Sequence, residues 1–243
     1  MKKSFYAIVG LLIVLGACKT TQTNNPANLA KWYEKAVTTS MYPPAETPDS
    51  NLIAITKSNP NLTWKTINGE DYVLMVSWKP SAGYYPDSGL YNTSKWQVWV
   101  TASPELKQRF KKEHPKDTNL RLKQLLGLTP TGTYTVFVEF WVRPQDLFRP
   151  CPDKEITDTK CNLCFSAKDS LDTDYIKWVN QTRVDRYYTC GLYNQYPWTQ
   201  LGYTYDWNPA NKSHIGLCEF VIDANKNVYV NKIYTTAEYL NKP

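Results

Sequence analysis

Residues 133–142 read TYTVFVEFWV, and this run decides the fold class. Ten residues dominated by β-branched and aromatic side chains, without Gly or Pro, form a strand rather than a helix. Apolar side chains occupy both alternating sets, so both faces are buried and the strand is central in its sheet. Upstream, DYVLMVSWK at 71–79 and KWQVWVT at 95–101 have the same character, the first preceded by the Asn68-Gly69 turn signal. Downstream, apolar runs at 218–223 and 228–234 flank Ala224-Asn225-Lys226-Asn227 and predict a hairpin. Helical spacing appears at 28–37, 103–114, about 118–126 and 172–188. Ser103 is expected as a cap with Pro104 in the first turn, Gly127 as a helix stop, and Thr235-Thr236-Ala237-Glu238 as the capping box of a last short helix. The remaining segments, 40–60, 80–94, 143–170 and 189–210, read as loops. Strands in neighbouring groups with helices set apart predict a single α+β domain, its sheet mainly antiparallel, with several short helices and disulfide-stabilised loops.

The chain of 243 residues is long enough for one substantial core, and 42% hydrophobic content with 14% aromatic residues excludes a mostly disordered polymer. The formal net charge of +6 is dispersed, which argues against a nucleic-acid partner.

The first 17 residues, MKKSFYAIVGLLIVLGA, combine two lysines with an apolar run too short to span a bilayer. Leu15-Gly16-Ala17-Cys18 follows. This junction resembles the lipobox of bacterial lipoproteins. The resemblance implies cleavage before Cys18, acylation of its thiol, and membrane attachment through that lipid. The organisation expected is a signal peptide at 1–17, a lipidated tether at 18–27 and one domain at 28–243. An ordinary signal peptide with a chance cysteine is the plainer alternative. Lys19 after the cysteine is similar to the Gram-negative pattern for sorting to the outer membrane, with the periplasmic or surface face left open.

Five further cysteines remain, at 151, 161, 164, 190 and 218. In an oxidising compartment two disulfides are expected among Cys151, Cys161, Cys164 and Cys190, which lie in or beside irregular segments. Cys218 reads as a buried free thiol. Competing interpretations are a Cys161-Asn162-Leu163-Cys164 redox motif and a four-thiolate zinc site. The first lacks a βαβ context and the second competes with oxidation, so neither a metal nor a cofactor is expected.

Two segments carry candidate ligand-binding residues. In EFWVRPQDLFRPC at 139–151 these are Glu139, Trp141, Arg143, Asp146 and Arg149, which either bracket a polar ligand or form an ion-pair network pinning a loop. In YPWTQLGYTYDW at 196–207 they are Trp198, Tyr203, Tyr205, Asp206 and Trp207. Rings alternating with polar groups suit a sugar or peptide, and they equally suit one buried face of a strand. Neither an H-E-x-x-H motif, a phosphate loop nor a G-x-S-x-G elbow is present in the sequence. The function expected is a non-enzymatic envelope protein that binds a polysaccharide, peptide or partner protein. The alternative is a glycan hydrolase using Glu139 and Asp206 as a carboxylate pair.

Three pieces, 138–150, 196–207 and 216–221, resemble a group of uncharacterised exported bacterial proteins. That resemblance implies no activity and no site residue.

Overall fold

A computed structural model describes residues 24–44 and 47–241. The lipobox, Cys18 and tether residues 19–23 lie outside the described residues. Helix α1 (Pro26–Met41) opens with Pro26 in its first turn and Asn25 as cap, the Asn25 side chain accepting from the Asn28 N–H at 2.9 Å. It therefore begins inside the expected tether and runs past residue 37. Tyr33, Ala36, Val37 and Ser40 form its buried face.

Strands β1 (Trp64–Ile67) and β2 (Glu70–Lys79) are joined through Asn68-Gly69, with Ile67 opposite Glu70. Both turn residues have positive φ, 50° and 82°, the geometry a two-residue hairpin with this right-handed twist demands. Strand β3 (Gly89–Asn92) falls in a segment expected to be loop. Strand β4 (Val98–Ala102) leads directly into α2 (Ser103–Glu113), capped at Ala102 rather than Ser103. The Ser103 hydroxyl turns inward and donates to Glu139 at 2.8 Å. Helix α3 (Thr118–Leu125) is capped by Asp117. It closes on Gly127, φ +66°, with the Gly127 and Leu128 N–H groups returning to Gln124 and Lys123.

Strand β5 (Val136–Val142) is central, as its two apolar faces predict: it pairs with β2 on one edge and with β10 (Asn227–Thr235) on the other. The remaining elements are β6 (Leu147–Phe148), α4 (Thr173–Tyr187), β7 (Tyr203–Tyr205), β8 (Ile215–Cys218), β9 (Phe220–Ile222) and α5 (Thr236–Asn241). The main sheet runs β3-β10-β5-β2-β4-β9-β6, with β1 sharing an edge of β2, and β7 pairs β8 separately. Every described pairing is antiparallel.

The expected hairpin across residues 224–227 does not form. β9 pairs with β4 and β6, whereas β10 crosses to lie between β3 and β5. Local alternation marks both segments as strands, but their partners are chosen by burial elsewhere in the sheet. Thr235 and Glu238 do form the capping box: the Thr235 N–H donates to the Glu238 carboxylate at 2.7 Å and the Glu238 N–H to the Thr235 hydroxyl at 3.2 Å.

Alternation along the strands separates the core. Val73, Met75, Val100, Val138, Phe140, Phe220 and Val230 share one face with Leu52, Ile55 and the Cys151 loop. Val76, Trp78, Phe137 and Tyr234 face α2, α3 and α5 through Leu106, Phe110, Leu122, Leu125 and Tyr239. A third cluster joins α1 and α4 to Trp198, Tyr205 and Trp207. Among the described residues no helix is long and apolar enough to cross a membrane.

Cys151 and Cys161 are bridged, tying off an irregular loop over a separation of 10 residues. The second expected bridge is not formed: Cys164 and Cys190 are exposed free thiols. Cys218 is the buried free thiol expected of it.

Candidate functional site

The two sequence constellations meet different fates. Arg143 donates to Asp146 at 2.8 Å and lies beside Glu70, while Arg149 is wholly buried. Arg149 donates to Asp158 and to the carbonyls of Ile53, Asp158 and Lys160. The Arg149 contacts pin the disulfide loop beside β6, while the Arg143 pairs separately tie the segment after β5 to β2. Glu139 is fully buried and accepts from Ser103 and Asn231, with Lys107 at 3.7 Å. Trp141 donates to the same Asn231 side chain at 3.0 Å.

In the second constellation Tyr203, Tyr205 and Trp207 are all buried, the packed face that alternation also allowed. The Trp207 indole N–H is shared between the Lys123 and Leu128 carbonyls, and the Trp198 indole N–H goes to Pro150. Asp206 has 0% exposure and receives both Nη groups of Arg121 at 2.7 Å, plus the Asn208 N–H and the Asn211 amide. Glu139 and Asp206 thus occupy separate buried networks.

A pocket of about 400 Å³ lies on the helix-covered face of the sheet. Register builds its floor. Val76 pairs with Thr101, Trp99 with Val221 and Val100 with Phe220, so Glu219, one residue before Phe220, stands beside Thr101 and next to Val76 on the same pleat. Trp78 and Trp99 lie in the adjoining row. The walls come from Leu106 on α2, from Leu126 to Leu128 beyond α3, from Tyr134, and from Tyr196, Pro197 and Trp198. Trp198 and Tyr205 are the two sequence candidates that line it.

The polar groups of this pocket are unusual. Arg186 of α4 stands over two rings, 5.2 Å from the Trp99 centroid and 5.1 Å from that of Tyr196. Its guanidinium has neither a hydrogen bond nor an ion pair with any described residue. The Glu219 carboxyl likewise has no hydrogen-bond partner among the described residues; only its backbone is engaged, the N–H donating to Gly202 at 2.9 Å. Burial pushes the Glu219 carboxyl up to about 8, against the opposing pull of Arg186, which favours its protonated form at neutral pH. Behind Thr101, Glu105 accepts from the Cys218 N–H at 2.9 and 3.1 Å and from the Thr101 hydroxyl at 3.1 Å. Burial pushes Glu105 up to about 7 despite these donors.

The arrangement offers flat rings, one cation and one neutral acid in a concave apolar setting, which is the composition of a ligand pocket. Among the described residues no cluster of His, Cys, Asp and Glu is arranged to hold a metal ion. Sequence inspection missed Trp78, Trp99, Tyr134, Arg186 and Glu219. One signal was available: Glu219 is a lone acid within Leu217-Cys218-Glu219-Phe220-Val221. No family model, curated protein sequence or solved structure matches the chain.

Proposed function

We propose that this chain is a lipid-anchored, non-enzymatic cell-envelope protein that binds a polysaccharide, peptide or partner-protein segment by seating one ring-sized group in the aromatic pocket. The observation that carries the reading is the roughly 400 Å³ cavity in which, among the described residues, the Arg186 guanidinium touches only aromatic rings and the Glu219 carboxyl has no hydrogen-bond partner. Charged and polar side chains inside a protein are ordinarily satisfied by their neighbours, and a pair left open in a concave site awaits an incoming ligand. Binding is favoured over carboxylate-pair hydrolysis because Glu139 and Asp206 are each engaged by neighbours and neither lines this pocket. The attachment rests on Leu15-Gly16-Ala17-Cys18 and Lys19, which support the outer membrane as destination.

Tryptophan emission tests the pocket directly, since Trp78, Trp99 and Trp198 line it. Titration with arrays of oligosaccharides and short peptides should shift the emission of the intact protein. Trp99→Ala should weaken that response at least tenfold. A silent response to every class, or an unchanged one in the variant, removes the proposal. Mass spectrometry of the natively produced chain tests the anchor: a diacylglyceryl group on Cys18 is expected, and an unmodified thiol there refutes it.

A further inference from the structure

The pocket's polar groups also specify the ligand's charge, an inference that rests on the binding reading above. Two kinds of ligand fit aromatic walls with a carboxyl at the floor. A cation would use the rings and an ionised Glu219. An anion would use Arg186 and a protonated Glu219. The rings already hold a cation, because Arg186 lies over both Trp99 and Tyr196. A second positive group would meet that guanidinium in an apolar space where like charges repel strongly.

We infer that the pocket binds an organic carboxylate carried on an aromatic or apolar body, with Arg186 as its counter-charge and Glu219 as hydrogen-bond donor to one carboxylate oxygen. The guanidinium fork matches a carboxylate geometrically, and its stacking on two rings holds it in place before the ligand arrives. A neutral Glu219 supplies the donor that a carboxylate lacks; an ionised one would repel it. The rings of Trp78 and Tyr134, already stacked on one another at 5.0 Å, give the ligand body a flat apolar surface. Lys79, also on the lining, adds positive charge from the end of β2. The other titratable groups near Glu219 are Arg186 and Tyr187 on α4, Glu105 behind Thr101, Cys218 beside it in the chain, and the Tyr134, Tyr196 and Tyr205 phenols.

Isothermal titration calorimetry on the full chain tests this with two probes of one shape and opposite charge, phenylacetate and phenethylammonium. Phenylacetate should bind at least tenfold more tightly at pH 6.5. Arg186→Met should cost at least tenfold, and Arg186→Lys, which keeps the charge but loses the fork and its stacking, should cost less than Arg186→Met. Affinity should fall several-fold between pH 6.5 and 9, as Glu219 ionises and Lys79, which burial lowers to about 8, loses its proton. Glu219→Gln should make that fall shallower. A peptide ending in a free phenylalanine carboxylate separates a chain end from a small free acid as the source. It should outcompete its own C-terminal amide if chain ends enter. Acid and amide peptides binding with equal, measurable affinity, or phenylacetate binding equally to wild type and both Arg186 variants, overturns the inference. Preference for phenethylammonium also overturns it while leaving the pocket as a binding site. Failure of both probes together with the oligosaccharide and peptide arrays brings down the pocket reading itself.

Discussion

Arg121 on α3 and Asp206 beyond β7 form a two-pronged ion pair inside the fold, Nη1 to Oδ1 and Nη2 to Oδ2 each at 2.7 Å. Glu113 at the end of α2 takes the Arg121 Nε as well, so one guanidinium joins two helices to the segment after β7. Removing one partner of such a buried pair strands the other charge, at a cost of about 3–5 kcal/mol. Arg121→Met, which leaves the fully buried Asp206 without its guanidinium, should therefore lower the urea midpoint by that equivalent with little change in m. Combining Arg121→Met with Asp206→Leu should recover much of the loss. Equal destabilisation by the single and the paired substitution would show that the charge is not what matters.

Glu219 in the pocket and Glu105 behind it make stability depend on pH. Their folded-state values, about 8 for Glu219 and about 7 for Glu105, lie above the unfolded value near 4.5. The unfolded chain thus releases these protons first as pH rises. Stability linked to them is complete below about pH 4.5 and is lost progressively up to about pH 8. Glu219→Gln, which cannot ionise, should raise the melting temperature at pH 8.5 by several degrees and leave it nearly unchanged at pH 4.5. A shift equal at both pH values would exclude ionisation as the cause.

Cysteine chemistry is graded by exposure. Iodoacetamide should label Cys164 and Cys190 promptly in the native protein, and Cys218 only after unfolding. Cys218 is doubly protected, because burial and the neighbouring Glu105 carboxyl hold its proton on. Replacing Cys151 and Cys161 by Ser should cost about 3 kcal/mol, the loop-closure entropy for a crosslink of this span. Native labelling of Cys218 at the rate of Cys164 would contradict the packing described.

Gly202 is constrained twice. Its φ is +74°, and a Cβ there would meet the Arg149 side chain at 2.5 and 2.8 Å. Gly202→Ala should therefore push Arg149 off its carbonyls and loosen the disulfide loop. Amide exchange in residues 153–161 should quicken more than exchange in β5. Uniform quickening across the molecule would point to global destabilisation alone.

How far the sequence foretold this molecule depends on the reach of each interaction. β5, β2 and the capping box of α5 were legible, because their cues are carried by adjacent residues. Strand β3 was not: Gly89, Leu90, Tyr91 and Asn92 carry no alternation, and the segment is a strand because it pairs with β10. The partners of β9 and β10 were equally hidden, since alternation states that a segment is a strand and not which strand lies next to it. At the site, Tyr203 and Trp207 stood out as rings and are packed in the core, while Trp198 and Tyr205 also line the pocket. Arg186 and Glu219, 33 positions apart, acquire their significance only when α4 is laid beside the β8–β9 segment. Arg186 has no local motif that could announce it, and Glu219 has only its place as a lone acid in an apolar run.

The placement of β10 between β3 and β5 bears on how the chain is made. An interior member of the sheet comes from residues 227–235, later in the chain than both strands it separates, so it is made after β3 and β5. Until then β5 has one bare edge and β3 has no neighbour at all. The sheet cannot be finished before this segment has been made, and any product terminated ahead of it would present open edges to other chains.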